Sequence, residues 1–552
     1  MADKRSTAAE LLVRCLEHEG VECVFGIPGE ENIHLVDALS RSSIRYVLVR
    51  HEQAASFMAE MYGRVTGRAG VCSSTLGPGA INLLLGTADA TTNSTPLVAL
   101  SAQVGLNRIY KESHQSVDLV SMFSPVTKWA DMVLTPESIP EMVRKAFKLA
   151  QTERPGAVYL AVPEDIESAE EPENLRPLDI NTPRPDEPSQ SQIERAAAVL
   201  QSAKRPIVVA GHGATRSGAS KALIRFSEDL GLPVATTFNG KGVFPDDHPN
   251  ALGAVGFMRH DYVNFGFDEA DVIVSVGYEL QEFDPVRINP KGDKLILHLS
   301  RVPAEVDSHY DVEVGIQADI GRSLDALAKA VNRKFDQGYS GQKIRSLLDD
   351  ELSRGRSDES FPLKPQRIVA DTRAALGRAD IVLADTGAVK MWMARLYPTY
   401  EPNTCLLSNG LSTMAFALPG AIGVKIANPD RRVLAAVGDG AFLMSSYEIE
   451  TAIREHVPIT ILIWEDEAYG LIKWKMDLEL GHDVDVDFKN PDFVAYAESF
   501  GARGYRIKST GDLLPTLTEA LAEDTVSIIA CPVDYTENLR LTDALGDLSG
   551  PF

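Results

Sequence analysis

Val437-Gly438-Asp439-Gly440-Ala441 ends an apolar run (VLAAV) and opens a helix-like one (FLMSSYEIETAIRE); a second apolar run (ITILIW) then ends at an acidic turn with Asp466. Strand, glycine turn, helix, strand and acidic turn form the order of a parallel α/β unit. It sets Asp439 and Asp466 at the carboxyl ends of two strands, where open α/β sheets bind ligands. Two carboxylates on a glycine-rich turn suit Mg²⁺, which takes one or two carboxylates and fills its octahedron with phosphate oxygens and water. The adjacent helix start offers backbone N–H groups to the same phosphates. The expectation is a phosphate-bearing cofactor held through a metal. The alternative is a pair of turn aspartates in an ordinary α/β domain, since short motifs often match by chance.

A second site lies near the start of the chain. Glu52 follows the apolar run YVLV and opens a helix rich in small residues, EQAASFMAEMYGR. A carboxylate at a strand end is what chemistry on an aminopyrimidine ring nitrogen requires. Gly77-Pro78-Gly79, in STLGPGAINLLLG with Asn82, permits a backbone approach that side chains would block.

Taken in order, these segments resemble thiamine-diphosphate (ThDP) enzymes of the acetolactate synthase family, from about residue 8 to about residue 538. ThDP chemistry needs a cofactor folded into a V, a carboxylate on the pyrimidine nitrogen and a diphosphate fixed through a metal, because the thiazolium is its own electron sink. The resemblance implies that Glu52 activates the cofactor and that Gly77, Pro78, Gly79 and Asn82 form the aminopyrimidine side. Met414, in SNGLSTMAFALPG, is the implied wedge beneath the V, and the Ser412 carbonyl accepts from the pyrimidine amino group. Gly410, Ser412 and Thr413 favour a loop there over a packed helix. Thr386, Gly387 and Ala388, after Asp385, add donors to the diphosphate, beside Gly438, Gly440 and Ala441. Asp439, Asp466 and the Ala468 carbonyl are the implied Mg²⁺ ligands.

His114 and Gln115 fall where the family places polar groups over the thiazolium. Gln115 is the favoured substrate contact; His114 fits that role or a structural loop role. Three departures stand out. Asp466-Glu467-Ala468 replaces the usual Asn or Asp, Asn or Ser, Gly, and the extra carboxylate either tightens the metal or faces solvent. Glu30-Glu31 stand where catabolic acetolactate synthases have Lys soon after GIPG. Lys475 stands where anabolic enzymes carry a Trp and catabolic ones a Gln; it either holds a keto-acid carboxylate or pairs with Glu30 or Glu31.

The length of 552 residues calls for several domains. A net charge of −24 argues against nucleic acid and anionic membrane as partners. Five scattered cysteines, with no CxxC and no Cys/His cluster, indicate neither a disulfide framework nor a zinc site, and Cys72, Cys405 and Cys531 lie in apolar runs. The first twenty residues read as an amphipathic helix without the apolar core of a signal peptide. No run reaches the roughly 20 apolar residues of a membrane span. A cytoplasmic enzyme is expected.

Pro-, Glu- and Ser-rich stretches at 163–192 and 336–365 read as linkers, the second around a short helical piece. They divide the chain into 1–165, 190–335 and 363–540. In each part continuous apolar strands alternate with helices, which implies α/β architecture: three doubly wound parallel-sheet domains. By resemblance these are the ThDP pyrimidine-binding, central Rossmann-like and ThDP diphosphate-binding domains. The first and third are possible cousins, although their sequences do not show it. The central turn in PIVVAGHGATRSGA reads either as a nucleotide site or as glycine placed for sterics. The nearer likeness to catabolic enzymes, which lack FAD, makes FAD unexpected.

The family pairs the first domain of one subunit with the third of its partner, so a homodimer or homotetramer with shared sites is expected. The expected activity is acetolactate synthase: one pyruvate is decarboxylated on ThDP, and its two-carbon unit joins a second pyruvate to give 2-acetolactate and CO₂. The alternative is a 2-keto-acid decarboxylase or a carboligase with another acceptor, motivated by Glu30 and Lys475. A non-catalytic paralogue would show decay at Glu52, Asp439 or Met414, and none is present.

Overall fold

The computed structural model describes residues 6–181, 186–257, 261–336 and 340–545; residues 1–5 of the amphipathic start, the tail after 545 and parts of both linkers lie outside them. Six strands, β1 (Cys23–Gly26), β2 (Arg45–Leu48), β3 (Gly70–Ser74), β4 (Leu97–Gln103), β5 (Trp129–Met132) and β6 (Ala157–Pro163), form a parallel sheet ordered β2-β1-β3-β4-β6-β5. A second parallel sheet, β12-β11-β10-β7-β8-β9, is built from β7 (Pro206–Ala210), β8 (Val234–Thr236), β9 (Ala251–Ala254), β10 (Val272–Val276), β11 (Leu295–Ser300) and β12 (Val312–Gln317). The third, β14-β13-β15-β16-β18-β17, uses β13 (Ile381–Ala384), β14 (Cys405–Leu407), β15 (Val433–Gly438), β16 (Thr460–Glu465), β17 (Arg503–Arg506) and β18 (Ser527–Pro532). The central strands are buried along all or nearly all of their length, as a parallel sheet covered on both faces demands.

The chain gathers into two compact units. One holds the described part of Met1–Pro183 with Gly410–Asp430 and Ser445–Ile459, and so the first sheet. The other holds the second and third sheets.

Within the first unit, helix Ala417–Ala427 packs on helix Glu52–Thr66 so closely that a Cβ on Gly423 would collide with the Met58 carbonyl. The opening helix spans Ala8–His18, capped by a reciprocal Thr7–Glu10 box.

Two local expectations change. The run after Asp439 is not one helix: Asp439–Leu443 and Ile449–Arg454 are separated by a non-helical Ser445 (φ −138°, ψ 8°) and a short 3-10 turn, Ser446–Glu448. Serine competes poorly for helix interiors, and the Glu448 side chain is engaged with the backbone of Arg50 and His51. The second linker carries a helix of seventeen residues, Ser340–Arg356, rather than a short helical piece. Its buried Ile344, Leu348 and Leu352 recur at helical spacing and join the core.

Candidate functional site

In the first unit, the turn after β2 delivers Glu52 as the first residue of helix Glu52–Thr66. His51 caps that helix through its ring nitrogen, which accepts from the Gln53 N–H at 3.1 Å. The Glu448 carboxylate accepts from the Arg50 and His51 N–H groups, both at 3.0 Å. Burial pushes the Glu448 carboxyl up to about 7, although those donors and Thr451 pull it down.

The Asn82 amide donates to Glu52 Oε2 at 3.0 Å. Gly77 has φ +54°, and a Cβ there would sit 2.6 Å from the Gln115 carbonyl oxygen. Pro78 then starts helix Pro78–Thr92, where its missing N–H costs nothing. A Cβ on Gly79 would lie 3.2 Å from Glu52 Oε1. The structure thus brings Glu52, Asn82, Gly77, Pro78, Gly79 and the Gln115 backbone together. The side chains of His114 and Gln115 are exposed, and Gln115 itself has φ +56°. Thr75 donates to Glu31 at 2.6 Å, while Glu30 is exposed.

Met414 is half-buried and lies in a turn, as its neighbours led us to expect. Ser412 (φ +57°) and Ala415 (φ +72°) flank it, both in the left-handed region. Non-glycine residues persist there only where surrounding structure holds them, and such positions cluster at functional sites.

In the second unit, the turns after β13 and β15 lie at the ends of neighbouring strands. Asp385 is buried and accepts from the Thr386 N–H at 2.8 Å. The Thr386 hydroxyl is buried with no protein partner. A Cβ on Gly387 or Gly438 would touch nothing, so both glycines border open space. Ala388 and Ala441 continue these turns into helices Ala388–Leu396 and Asp439–Leu443. An orphaned hydroxyl, open glycines and helix starts suit a diphosphate.

Asp439 is buried. Its Oδ2 accepts from the N–H groups of Asp466 (3.1 Å) and Glu467 (2.7 Å) and from the Asn490 amide (2.7 Å), and its Oδ1 from the Gly440 N–H (2.8 Å). Burial raises its carboxyl against those donors. The Asp466 carboxyl is pushed up to about 8, first by burial and then by the charge of Asp439, with the Ala468 N–H opposing. A buried acid and a half-buried one that repel each other are a seat for a cation. Among the described residues no three His, Cys or acidic side chains form a protein-only metal cage; Mg²⁺ does not require one, because phosphate and water complete its shell. Asp466 and Ala468 also line a cavity of about 410 Å³ with Lys473, Trp474, Tyr535 and Asn538. The residues present fit both the diphosphate and the ion.

Asn490 was not foreseen. It precedes a proline in FKNPDF, and nothing in that local sequence couples it to Asp439. Glu467 forms an exposed ion pair with Lys489 at 2.6 Å, which favours the solvent-facing alternative. Lys475 pairs with Glu479, one turn along helix Gly470–Leu480, at 3.3 Å.

The central GHG turn sits where the strand order reverses, between β7 and β10. The chain's own Glu282 lies against it, accepting from the His212 N–H at 3.1 Å and from the Thr237 hydroxyl. Glycine is needed at 211 because a Cβ would strike Glu282 Oε1 and the Gly277 carbonyl. Steric need accounts for the glycine at 211. All five cysteines are unbridged and buried.

Comparison with known proteins agrees with these features. Three family models match: thiamine pyrophosphate enzyme N-terminal TPP binding domain over residues 6–122, central domain over 193–327 and C-terminal TPP binding domain over 385–531. Among curated relatives, an acetolactate synthase of Bacillus subtilis is 35% identical over 97% of this chain and 95% of its own length. A catabolic acetolactate synthase of Raoultella terrigena is 35% identical, covering 97% of each. A probable acetolactate synthase large subunit of Methanocaldococcus jannaschii is 35% identical over 98% of this chain and 94% of its own. The chain belongs to the acetolactate synthase family of thiamine pyrophosphate enzymes.

Proposed function

We propose that the protein is a ThDP- and Mg²⁺-dependent acetolactate synthase that decarboxylates one pyruvate and condenses the resulting two-carbon unit with a second. The observation that carries this reading is the likeness along nearly the whole chain to proteins named acetolactate synthase. When bound, ThDP supplies the electron sink for loss of CO₂ and for the new carbon–carbon bond. The chain's own groups do the rest. Glu52, oriented by Asn82, holds a proton at the pyrimidine nitrogen. Gly77, Pro78 and Gly79 would admit the pyrimidine ring, Met414 would support the cofactor and the Ser412 carbonyl would accept from its amino group. Asp439, Asp466 and the Ala468 carbonyl hold Mg²⁺. Thr386, Gly387, Ala388, Gly438, Gly440 and Ala441 receive the diphosphate. Gln115, with His114 beside it, orients the keto acid and keeps water from the reacting carbon.

We assign pyrimidine binding to 1–165, a Rossmann-like role without FAD to 190–335 and diphosphate binding to 363–540. The Glu282 carboxylate in the central crevice supports the absence of FAD. A homodimer or homotetramer with shared sites fits a site set drawn from separate stretches of the chain. Buried, unbridged thiols support a cytoplasmic setting. Among the described residues no helix is long and apolar enough to cross a membrane.

Proton NMR of the purified protein with pyruvate, ThDP and Mg²⁺ tests the reading. Acetolactate is expected as the main product. Acetaldehyde would replace the synthase by a decarboxylase, and unconsumed pyruvate would move the substrate to another 2-keto acid.

A further inference from the structure

Beneath the candidate pyrimidine site, the first unit buries a polar seam that the proposed chemistry does not use. Glu60 and Asp89 are both fully buried, on helices Glu52–Thr66 and Pro78–Thr92, and Arg64 lies one turn beyond Glu60. Burial and the neighbouring Asp89 raise the Glu60 carboxyl well above the usual range. Asp89 pushes the Glu60 carboxyl up and the Arg64 charge pulls it down.

Asn93, the C-cap of helix Pro78–Thr92, is also fully buried. Its amide nitrogen donates to Glu60 Oε1 at 3.2 Å. Its amide oxygen accepts from the Gly410 N–H at 2.9 Å. The same helix pair is therefore tied twice by Glu–Asn hydrogen bonds: Glu52–Asn82 at the candidate site and Glu60–Asn93 farther along. Only the second reaches on to another segment. That segment is the loop with left-handed Ser412 and Ala415 on either side of Met414. Gly410 presses on the helix end so tightly that a Cβ would collide with the Thr92 carbonyl.

We propose that Asn93 is a positioning residue: it fastens the 410–416 loop to the buried Glu60–Asp89 pair and so sets the height of Met414 and the direction of the Ser412 carbonyl. Asparagine suits the task because one side chain must donate to an acid and accept from a backbone N–H. The inference rests on the ThDP reading for its consequence, but not for its geometry.

The test compares Asn93→Ala and Glu60→Gln with the native protein. ThDP affinity is read by tryptophan fluorescence with Mg²⁺, kcat and KM for pyruvate by steady-state assay, and loop order by amide hydrogen exchange without cofactor. In Asn93→Ala, ThDP binding and kcat should each fall about tenfold or more through misplacement of the loop. KM for pyruvate should stay within about twofold, because the substrate contacts are untouched. Exchange in 410–416 should speed up while 52–66 stays protected. Glu60→Gln should hold the loop as the native protein does, since the Gln side-chain oxygen still accepts from the Asn93 amide. Native ThDP affinity or unchanged loop exchange in Asn93→Ala would overturn the proposal, as would a large loss in Glu60→Gln.

If Asn93→Ala does not fold, the native protein still decides: the Gly410 amide should exchange as slowly as those of helix Glu52–Thr66, and rapid exchange would refute the anchor. A native protein that binds no ThDP would defeat the functional reading instead, and the exchange comparison would stand.

Discussion

The first and third sheets have the same strand order. Counted from its own first strand, each runs 2-1-3-4-6-5. The central sheet counts 6-5-4-1-2-3, the doubly wound order with its reversal at β7 and β10. The two like-ordered sheets place their special turns after corresponding strands. After the second strand come Glu52 in one and the Ser412–Met414 loop in the other. After the third come Gly77-Pro78-Gly79 and Gly438-Asp439-Gly440. One topology thus carries two chemistries. The first turn set has a carboxylate with an amide donor, suited to a ring nitrogen. The third has two neighbouring acids, one buried and one half-buried, and open glycines, suited to a cation and phosphates. The shared fold fixes where ligand groups can be placed, and the side chains decide what they hold.

The sharpest way to break this division is Glu52→Gln. Turnover should fall by on the order of 100-fold or more, the scale of a lost acid–base group. ThDP binding should persist, because the proposed diphosphate contacts lie on the third-sheet turns. Steady-state assay and fluorescence titration on one preparation check both halves; retained turnover would remove Glu52 from the chemistry. Asp439→Asn should do the reverse and weaken Mg²⁺ and ThDP together. Asn490→Ala, which removes only a donor to Asp439, should weaken Mg²⁺ by about 10-fold, the lower end for a residue behind a ligand. Calorimetric titration with Mg²⁺ ranks the two. Equal losses would make Asn490 a ligand in its own right.

Much of this contrast is legible in the sequence, and what is not has a physical reason. The interior strands are mostly apolar and can be read directly. The four with the weakest apolar signal, β5, β9, β12 and β17, are all sheet edges. Three of them are only partly buried, so the apolar signal is diluted: β5 (WADM), β12 (VEVGIQ) and β17 (RGYR). Glycine at 253 weakens the fourth, ALGA. Glu52, Asp439 and Met414 are legible because their turns have distinctive residue order. Asn490, Asn93 and Glu448 are not, because each acts through contacts distant in sequence: Asn490 with Asp439, Asn93 with Gly410, Glu448 with His51. The shared strand order of the two sheets is invisible for the same reason, since topology leaves no mark on composition.

A smaller effect concerns how Glu52 is presented. Glu448 holds the turn just before it, with its carboxyl pushed up from the ordinary 4.5 to about 7 by burial. A carboxyl raised in the folded state binds its proton more tightly there than when unfolded. Its contribution is therefore full below the ordinary value and is lost as pH rises through the folded one. Glu167, pushed up to about 8 by burial, has the same sign. Thermal unfolding should occur about 2 °C lower at pH 8 than at pH 6. Glu448→Gln should remove part of that difference; an unchanged pH response would mean that Glu448 keeps an ordinary carboxyl.

The smallest expected effect tests whether the third-sheet side also selects substrate. Lys475 projects from helix Gly470–Leu480, which begins just past Asp466, and this invites a role in holding a keto-acid carboxylate. Its ion pair with Glu479 is exposed and one helical turn away, the kind worth only a few tenths of a kcal/mol. A cation so engaged and so well hydrated gives little orientation to a substrate. Lys475→Gln should change KM for pyruvate by less than about twofold, as expected when no substrate contact is removed, with the acetolactate fraction unchanged by NMR. A larger rise in KM at constant kcat would show that the lysine leaves Glu479 for the substrate. Selectivity would then lie on the metal-binding side as well as with Gln115.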